Sequence, residues 1–395
     1  MASRRQASSK PPTRALWVSS SLSTYGGIAT FVNNMRETAL WQEWDVHHVA
    51  THCDGSKLRR VGIFARGLIL FSFQMTFNRP QIVHLHTSER GSFVRKGFLV
   101  WLSSLYGVPT ILHMHGGEFH EYFRGARPSV QRLISTTLVR ADVIVALGET
   151  WASRVREVAP GARVEIVPNA IKRHDQVMLR PHNTIQFTFL GELCDRKGIG
   201  NLIKAWAQLI KASDGPTAVL SVAGWGEIEK ARTQINTLAV ADSVRLCGWL
   251  SKSQVSDLLD RTCVLVLPSI NEGQPMAILE AMSRGICVVS TTAGGIPEMI
   301  GDGEGVLVQP GNVRELTEAL KSVLRDAEYR EALGINGRRR ALQDFDVEVI
   351  SRKFDTMYRS LLRPNSDNGR KCGTSITCSR GEMTNADAAS NVEDD

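Results

Sequence analysis

What most constrains this chain is a repeated switch between two periods. Short apolar runs alternate with amphipathic stretches from residue 14 to about 363. The runs Ala15–Ser19, Asp45–Ala50, Ile82–His86, Thr110–His113, Val143–Ala146 and Val164–Val167 are rich in β-branched residues, with Gly, Ser, Thr or Asn close behind. Such runs read as strands. Helical patterns lie between them, for example Ile28–Leu40 and Ser129–Val139. A second series follows: Ile185–Leu190, Ala218–Ala223, Val244–Cys247, Val264–Leu267, Val288–Ser290 and Gly305–Val308, separated by helices such as Gly200–Ile210 and Ser251–Asp260. Strands alternating with helices of this length make βαβ units and parallel sheets. The strands are continuously apolar, which suits sheets covered on both faces. The expected fold class is therefore α/β, with two Rossmann-like domains whose sheets face each other across a cleft.

The 395 residues are enough for two ordinary cores. The domains are expected at 14–180 and 181–345, joined within the polar stretch Lys172–Asn183, which contains Pro181. A helix at 346–363 is expected to pack back towards the first domain. Residues 1–13 are rich in Ser, Pro and Arg, and 364–395 in Asn, Ser, Asp and Gly, so both are expected to be disordered tails. Residues 1–180 hold 23 Lys and Arg against 12 Asp and Glu, a net of +11; residues 181–395 hold 24 against 28, a net of −4. A basic half implies that one domain faces something anionic. No nucleic-acid module accompanies it. The seven cysteines form no CxxC pair and no zinc spacing. Cys263 and Cys287 sit in apolar runs and read as small buried thiols in a reducing compartment. The polar, basic start carries no apolar signal core, and no run of 18 apolar residues spans a membrane.

The most informative segment is Pro268-Ser-Ile-Asn-Glu272-Gly-Gln-Pro275-Met-Ala-Ile-Leu-Glu280, ending at Gly285. It leaves the carboxyl end of a strand, where open α/β sheets bind ligands. Pro275 suits the first turn of a helix over Met276–Arg284. Glu272 then lies in the loop and Glu280 inside the helix, so two carboxylates could contact one ligand from two sides. Free N–H groups near the helix start could hold an anion. Gly191 turns the first strand of the same domain towards Arg196 and Lys197, a planar fork and a point charge suited to a diphosphate. Gly26 and Gly27 follow the first strand of the first domain and permit close backbone approach, but GxGxxG is absent, which disfavours a dehydrogenase. His84-Leu-His86 and His113-Met-His115-Gly-Gly-Glu118 cap two neighbouring strands. Neither has the i,i+4 helical spacing of a zinc motif, so no metal is expected. His115 and Glu118 read as hydrogen-bonding groups, and His84 and His113 as candidates for buried, satisfied histidines. Gly294-Gly295-Ile-Pro297-Glu298 marks a further turn at the same sheet edge.

Together these pieces, with Val167-Pro-Asn-Ala-Ile171, Ala223-Gly224-Trp-Gly226 and Gly248, resemble the family 4 retaining glycosyltransferases of GT-B architecture over about 15–363. His113-x-His115-Gly-Gly-Glu-Phe119 further resembles bacterial members that build cell-surface polysaccharides. The resemblance implies that the second domain binds a nucleoside diphosphate sugar, a UDP- or GDP-sugar, and that the first binds a glycan or lipid-linked acceptor. Arg196 and Lys197 would neutralise the departing diphosphate, and Glu280 would bind the ribose. Glu272 and Gly273, with the amides of Met276, Ala277 and Ile278, would contact the donor sugar, and His115 would lie over it. Gly26 and Gly27 would line the cleft by the diphosphate, and Gly191 would sit beside them. Gly248 and Leu250 would border the base. His86 and Glu118 would face the acceptor. No cofactor or metal is implied. Glycosyl transfer with retained anomeric configuration is the implied reaction. Lys172 stands where an Asp is common, and Gly148-Glu149 where a Ser often precedes the acid.

Lys57, Arg59, Arg60, Arg66, Arg79, Arg95 and Lys96 surround the apolar segments Val61–Phe77 and Phe98–Leu105. That mixture suits an anionic membrane surface, which places the protein in the cytoplasm, peripheral on the inner membrane's cytoplasmic face. Core helices with charged ends are the alternative. The rival functions are a GT-B nucleotide-sugar epimerase and an inactive GT-B binding protein.

Overall fold

The computed structural model describes residues 13–174, 184–212 and 217–363. The two tails, apart from Thr13, and most of the Lys172–Asn183 join lie outside the described residues. Every apolar run becomes a strand. β1 (Ala15–Ser19), β2 (His47–Ala50), β3 (Ile82–Thr87), β4 (Thr110–Met114), β5 (Val143–Ala146) and β6 (Val164–Ile166) form one sheet. β7 (Thr184–Leu190), β8 (Thr217–Ala223), β9 (Val244–Gly248), β10 (Val264–Leu267), β11 (Cys287–Thr291) and β12 (Val306–Val308) form the other. The orders are β2-β1-β3-β4-β5-β6 and β12-β11-β10-β7-β8-β9, with parallel neighbours throughout. Each order reverses once, between β1 and β3 and between β7 and β10. The loops diverge there, leaving a crevice at the carboxyl ends of the strands.

Two local expectations are corrected. The helix expected over Ile28–Leu40 is two helices, Gly27–Met35 and Ala39–Glu43. Thr38 between them is extended, and its hydroxyl donates to the Met35 carbonyl at 2.7 Å, a side-chain bond that competes with the helix ladder. Pro275 stands just before the helix Met276–Ser283, with ψ 123°, and not within its first turn.

The first sheet is covered on both faces. Phe71 and Met75 of the helix Lys57–Phe77, with Phe93, Leu99 and Val100 of the helix Gly91–Leu105, pack on one face against Leu16, Leu85 and Leu112. Phe31 packs on the other with Ile350, Phe354 and Tyr358 from the chain's last described helix, Val347–Leu362. Trp17 Nε1 donates to the Tyr358 hydroxyl at 2.9 Å. Burying a large apolar side chain is worth roughly 1.5–3 kcal/mol, against about 0.5–1.5 kcal/mol net for a hydrogen bond. Phe354 and Tyr358 thus anchor this helix mainly by burial.

The two sheets are joined by a buried seam. Gln274 accepts from the Asn169 amide at 2.9 Å and donates to the Leu147 carbonyl at 2.7 Å, while the Asn169 side chain donates to the Gln274 carbonyl at 2.8 Å. Nearby, Glu298 accepts from the amides of Glu149 and Thr150 at 2.6 and 2.8 Å. It caps the helix Glu149–Val158, whose own preceding residue, Gly148, offers no side chain. A Cβ there would meet the Glu298 carboxylate, which would have to swing aside. We expect Glu298→Ala to cost about 1–2 kcal/mol, as loss of a charged cap does. A urea melt with an unchanged midpoint would contradict the capping role.

Candidate functional site

β7 ends at Leu190, and its loop closes through a short turn, Asp195–Lys197, on Gly198. Gly198 is left-handed, with φ +73°, and a Cβ there would overlap the Pro268 carbonyl of the β10 loop. Glycine lets the two loops touch, and the Ile270 amide donates to the Arg196 carbonyl at 2.7 Å. This contact, between neighbours at the β7/β10 reversal, brings Arg196 and Lys197 onto Glu272.

Glu272 is buried. Its Oε1 accepts from Ser269 Oγ at 2.9 Å, forms a close ion pair with Lys197 Nζ and lies 3.5 Å from Arg196 Nη1. Arg196 also lies 3.5 Å from Glu118 of the first domain and 3.6 Å from Glu192. Glu118 in turn lies 3.5 Å from Arg90. A chain of alternating charge thus crosses the cleft. All three Arg196 contacts are long and about a third of its side chain is exposed, so each is weak in water. Arg196 is therefore the readily exchanged cation, and Lys197 the held one.

These groups line a cavity of about 1350 Å³ between the domains. Gly26, Gly27, His115, Glu118, Gly191, Arg196, Lys197, Leu250, Glu272, Gly273, Met276, Ala277 and Glu280 all lie on its wall. Glu280 is pushed up to about 7 by burial, with Arg284 and Lys252 pulling the other way. Such a carboxyl group is poised to accept hydrogen bonds, which would compensate its lost hydration. At the mouth, Tyr25 meets Trp249 and Trp225 across the cleft, with ring centroids 3.8 and 6.1 Å apart.

Three expected contacts are corrected. His86 is fully buried behind His115, its Nδ1 3.1 Å from His115 Nε2, so it cannot meet an acceptor. The Ile278 side chain is buried and its amide already donates to the Pro275 carbonyl at 3.1 Å. Gly248 turns the chain, with φ +65°, one residue behind the wall that Trp249 and Leu250 form. Lys96, grouped by sequence with the surface cations, is buried on the cavity wall instead. Gln274, Glu298, Trp225 and Arg284 also matter here; each stands inside a segment the sequence pointed to, but sequence reasoning assigned none of them a role.

The histidines of β3 and β4 stack in a column, because alternate residues of adjacent parallel strands share a face. Nitrogens of His84, His86 and His113 lie within 4.8 Å of one another. Both nitrogens of His84 are engaged, Nδ1 by the Tyr358 hydroxyl at 2.6 Å and Nε2 by His113 Nδ1 at 3.3 Å. Tyr358 accepts from Trp17, so donating its own proton to His84 satisfies Trp17, Tyr358 and His84, while His113 Nε2 stays buried without a partner. Hydrogen bonding within the column therefore accounts for His84. Burial holds His84, His86 and His113 far below the usual imidazole range and brings His115 down to about 3. All four are neutral near pH 7, which makes His115 a hydrogen-bonding group and no proton donor to a leaving group.

Below about pH 6.5 the unfolded chain protonates these imidazoles while the folded chain does not. Stability should then fall as pH drops from 6.5 towards 4.5, by about 1.4 kcal/mol per pH unit for each histidine. Glu280 and Glu89, both raised, act in the opposite sense and offset part of it. Urea unfolding at pH 7, 6 and 5 tests this; a flat profile would refute it.

Residues 26–170 match the family described as a glycosyl transferase 4-like domain, and residues 170–340 match glycosyl transferases group 1. A putative colanic acid biosynthesis glycosyltransferase of Salmonella typhimurium, WcaL, is 26% identical over 330 residues, covering 80% of each chain. An α-1,3-galactosyltransferase of Escherichia coli that acts on GlcNAc-diphosphoundecaprenol is 25% identical over 303 residues, covering 71% of this chain and 76% of that one. Sucrose-phosphate synthase of Thermosynechococcus elongatus shares the fold with TM-score 0.74 at 18% identity, over 88% of this chain and 99% of that one. HepE of Anabaena, solved with UDP-glucose, does so with TM-score 0.69 at 18% identity and the same coverage.

Proposed function

The chain is a GT-B glycosyltransferase, a glycosyl transferase 4-like domain followed by a group 1 domain, and we propose that it moves a sugar from a nucleoside diphosphate to a lipid-linked or polysaccharide acceptor with retention of configuration. One observation carries the reading: Arg196, Lys197 and Glu272 meet at the β7/β10 reversal, and Glu280 shares their cavity.

The acceptor hydroxyl attacks the anomeric carbon as the bond to the diphosphate oxygen breaks, and the hydroxyl proton passes to the departing diphosphate. Negative charge grows on that diphosphate while the sugar becomes oxocarbenium-like. Arg196 and Lys197, fixed at the strand end, stabilise the growing charge, helped by the uncapped start of the helix Met276–Ser283. This reading gives the two cations the task a divalent metal performs in other transferases. Glu272 gives up part of its hold on Arg196 and takes the sugar's hydroxyls. Glu280 takes the ribose hydroxyls, and Tyr25, Trp225 and Trp249 offer aromatic faces near the base. Retention requires the acceptor to approach on the face from which the diphosphate leaves.

A thermal-shift panel of UDP, GDP and ADP tests the donor. A ligand at 100 times its Kd should stabilise by about 2.7 kcal/mol. Glu280→Ala and Arg196→Ala/Lys197→Ala should abolish the shift, and Arg196→Ala alone should slow transfer about 10²–10³-fold. Affinity should rise from pH 6 to 8, because binding favours the Glu280 carboxylate and releases its proton, and Glu280→Gln should flatten that rise. Full nucleotide binding by these variants would sink the assignment.

The relation to polysaccharide enzymes also supports work at a lipid surface. Among the described residues no helix is long and apolar enough to cross a membrane. Leu58, Ile69, Phe73 and Phe77, and Val94, Phe98, Trp101 and Leu105, are exposed on two helices of the first domain. Lys57, Arg59, Arg60 and Arg66, on the first of these helices, are exposed as well, a combination that fits anionic lipid. The protein should co-sediment with anionic vesicles at low salt, and Phe73→Glu/Phe98→Glu should release it. Wild-type protein left in the supernatant would remove the membrane from the proposal.

A further inference from the structure

The first domain has its own reversal, between β1 and β3, and the crevice there is ringed with cations. β3 runs into the helix Gly91–Leu105, which carries Arg95 and Lys96. Lys96 is 1% exposed, yet it lines the cavity with Ser88, Ser92, Arg95 and His52. Among the described residues neither Lys96 nor Arg95 has an ion-pair partner, and Arg95 Nε is buried without a hydrogen bond. Buried charge without a partner is costly, and native chains normally pair it. Asp54 and Glu89 also line the crevice, but the Asp54 carboxylate accepts from the Tyr25 amide at 2.9 Å, and burial raises Glu89 towards its neutral form. Burial and then Arg95 bring Lys96 down to about 7, and burial and then Arg95, Lys96 and Arg60 lower His52. These groups destabilise one another's charge, the signature of a site that lacks its counter-ion.

We propose that the crevice at the carboxyl ends of β1 and β3, walled by Lys96, Arg95, His52, Ser88 and Ser92, binds a phosphate or diphosphate group of the acceptor. The inference rests on the transferase reading for the word acceptor, while the anion site stands on its own geometry. Its position fits the task. The donor occupies the β7/β10 reversal, and the acceptor anion occupies the corresponding reversal across the same cavity. The exposed apolar stripe Val94, Phe98, Trp101 and Leu105 runs along the same helix as Arg95 and Lys96. One helix can therefore offer charge inward to a phosphate and an apolar face outward to a lipid tail.

Calorimetry with inorganic pyrophosphate and farnesyl diphosphate tests this. The full chain carrying Arg196→Ala/Lys197→Ala removes the donor-side cations, and it should still bind both probes. Adding Lys96→Met should weaken both about tenfold or more, as loss of a charge-assisted bond does. Its melting temperature should not fall, since a buried unpaired charge is removed. Arg95→Gln, less buried, should give the same direction of loss and guards against misfolding of the Lys96 variant. Tighter binding of farnesyl diphosphate than of pyrophosphate identifies a lipid-linked source, and equal binding a soluble phosphorylated one. Absence of binding before Lys96 is changed, or unchanged binding after it, overturns the proposal. Loss of nucleotide binding by the wild type would instead count against the donor assignment alone.

Discussion

A site divided between two domains exists only while they are held in register, and here that depends on one loop. Gln274 is buried between the sheets and exchanges three hydrogen bonds with Asn169 and Leu147. It stands two residues after Glu272. Stripping one partner from such a buried amide leaves an unsatisfied group costing about 1–3 kcal/mol. The loop that carries the carboxylate is thus also the loop that fixes the first domain against the second. Glu298 reinforces the same seam by capping a helix of the opposite domain.

The two crevices differ in their electrostatics. At the β7/β10 reversal each cation has a carboxylate within reach, and the long Arg196 contacts leave it free to trade one anion for another. At the β1/β3 reversal Lys96 and Arg95 have no such partners among the described residues. Exchange suits a donor whose diphosphate must arrive intact and leave as product. An uncompensated pocket suits a group that is held throughout the reaction.

The strands were legible because each is short, apolar and followed by turn residues, a signal that survives without tertiary context. The parallel α/β class followed from their alternation with helices. The residues grouped at the strand ends, Arg196, Lys197 and Glu272 in loops and Glu280 in the helix that follows, share one cavity, since segments at the carboxyl ends of neighbouring strands converge. Sequence reasoning failed where burial decided the matter. His86 and Lys96 look like accessible polar residues in the chain, and both are inside. Gln274 and Glu298 act across a distance of more than a hundred residues, which no local pattern records.

Period and punctuation by themselves determined that this chain forms two stacked series of βαβ units with polar groups at the strand ends, because strand and helix formation answer to neighbours a few residues away. Only the tertiary structure decided the strand order, and so which loops lie beside which. It also decided which cations keep a counter-ion and which are buried without one, since charge compensation depends on groups brought together from distant parts of the chain.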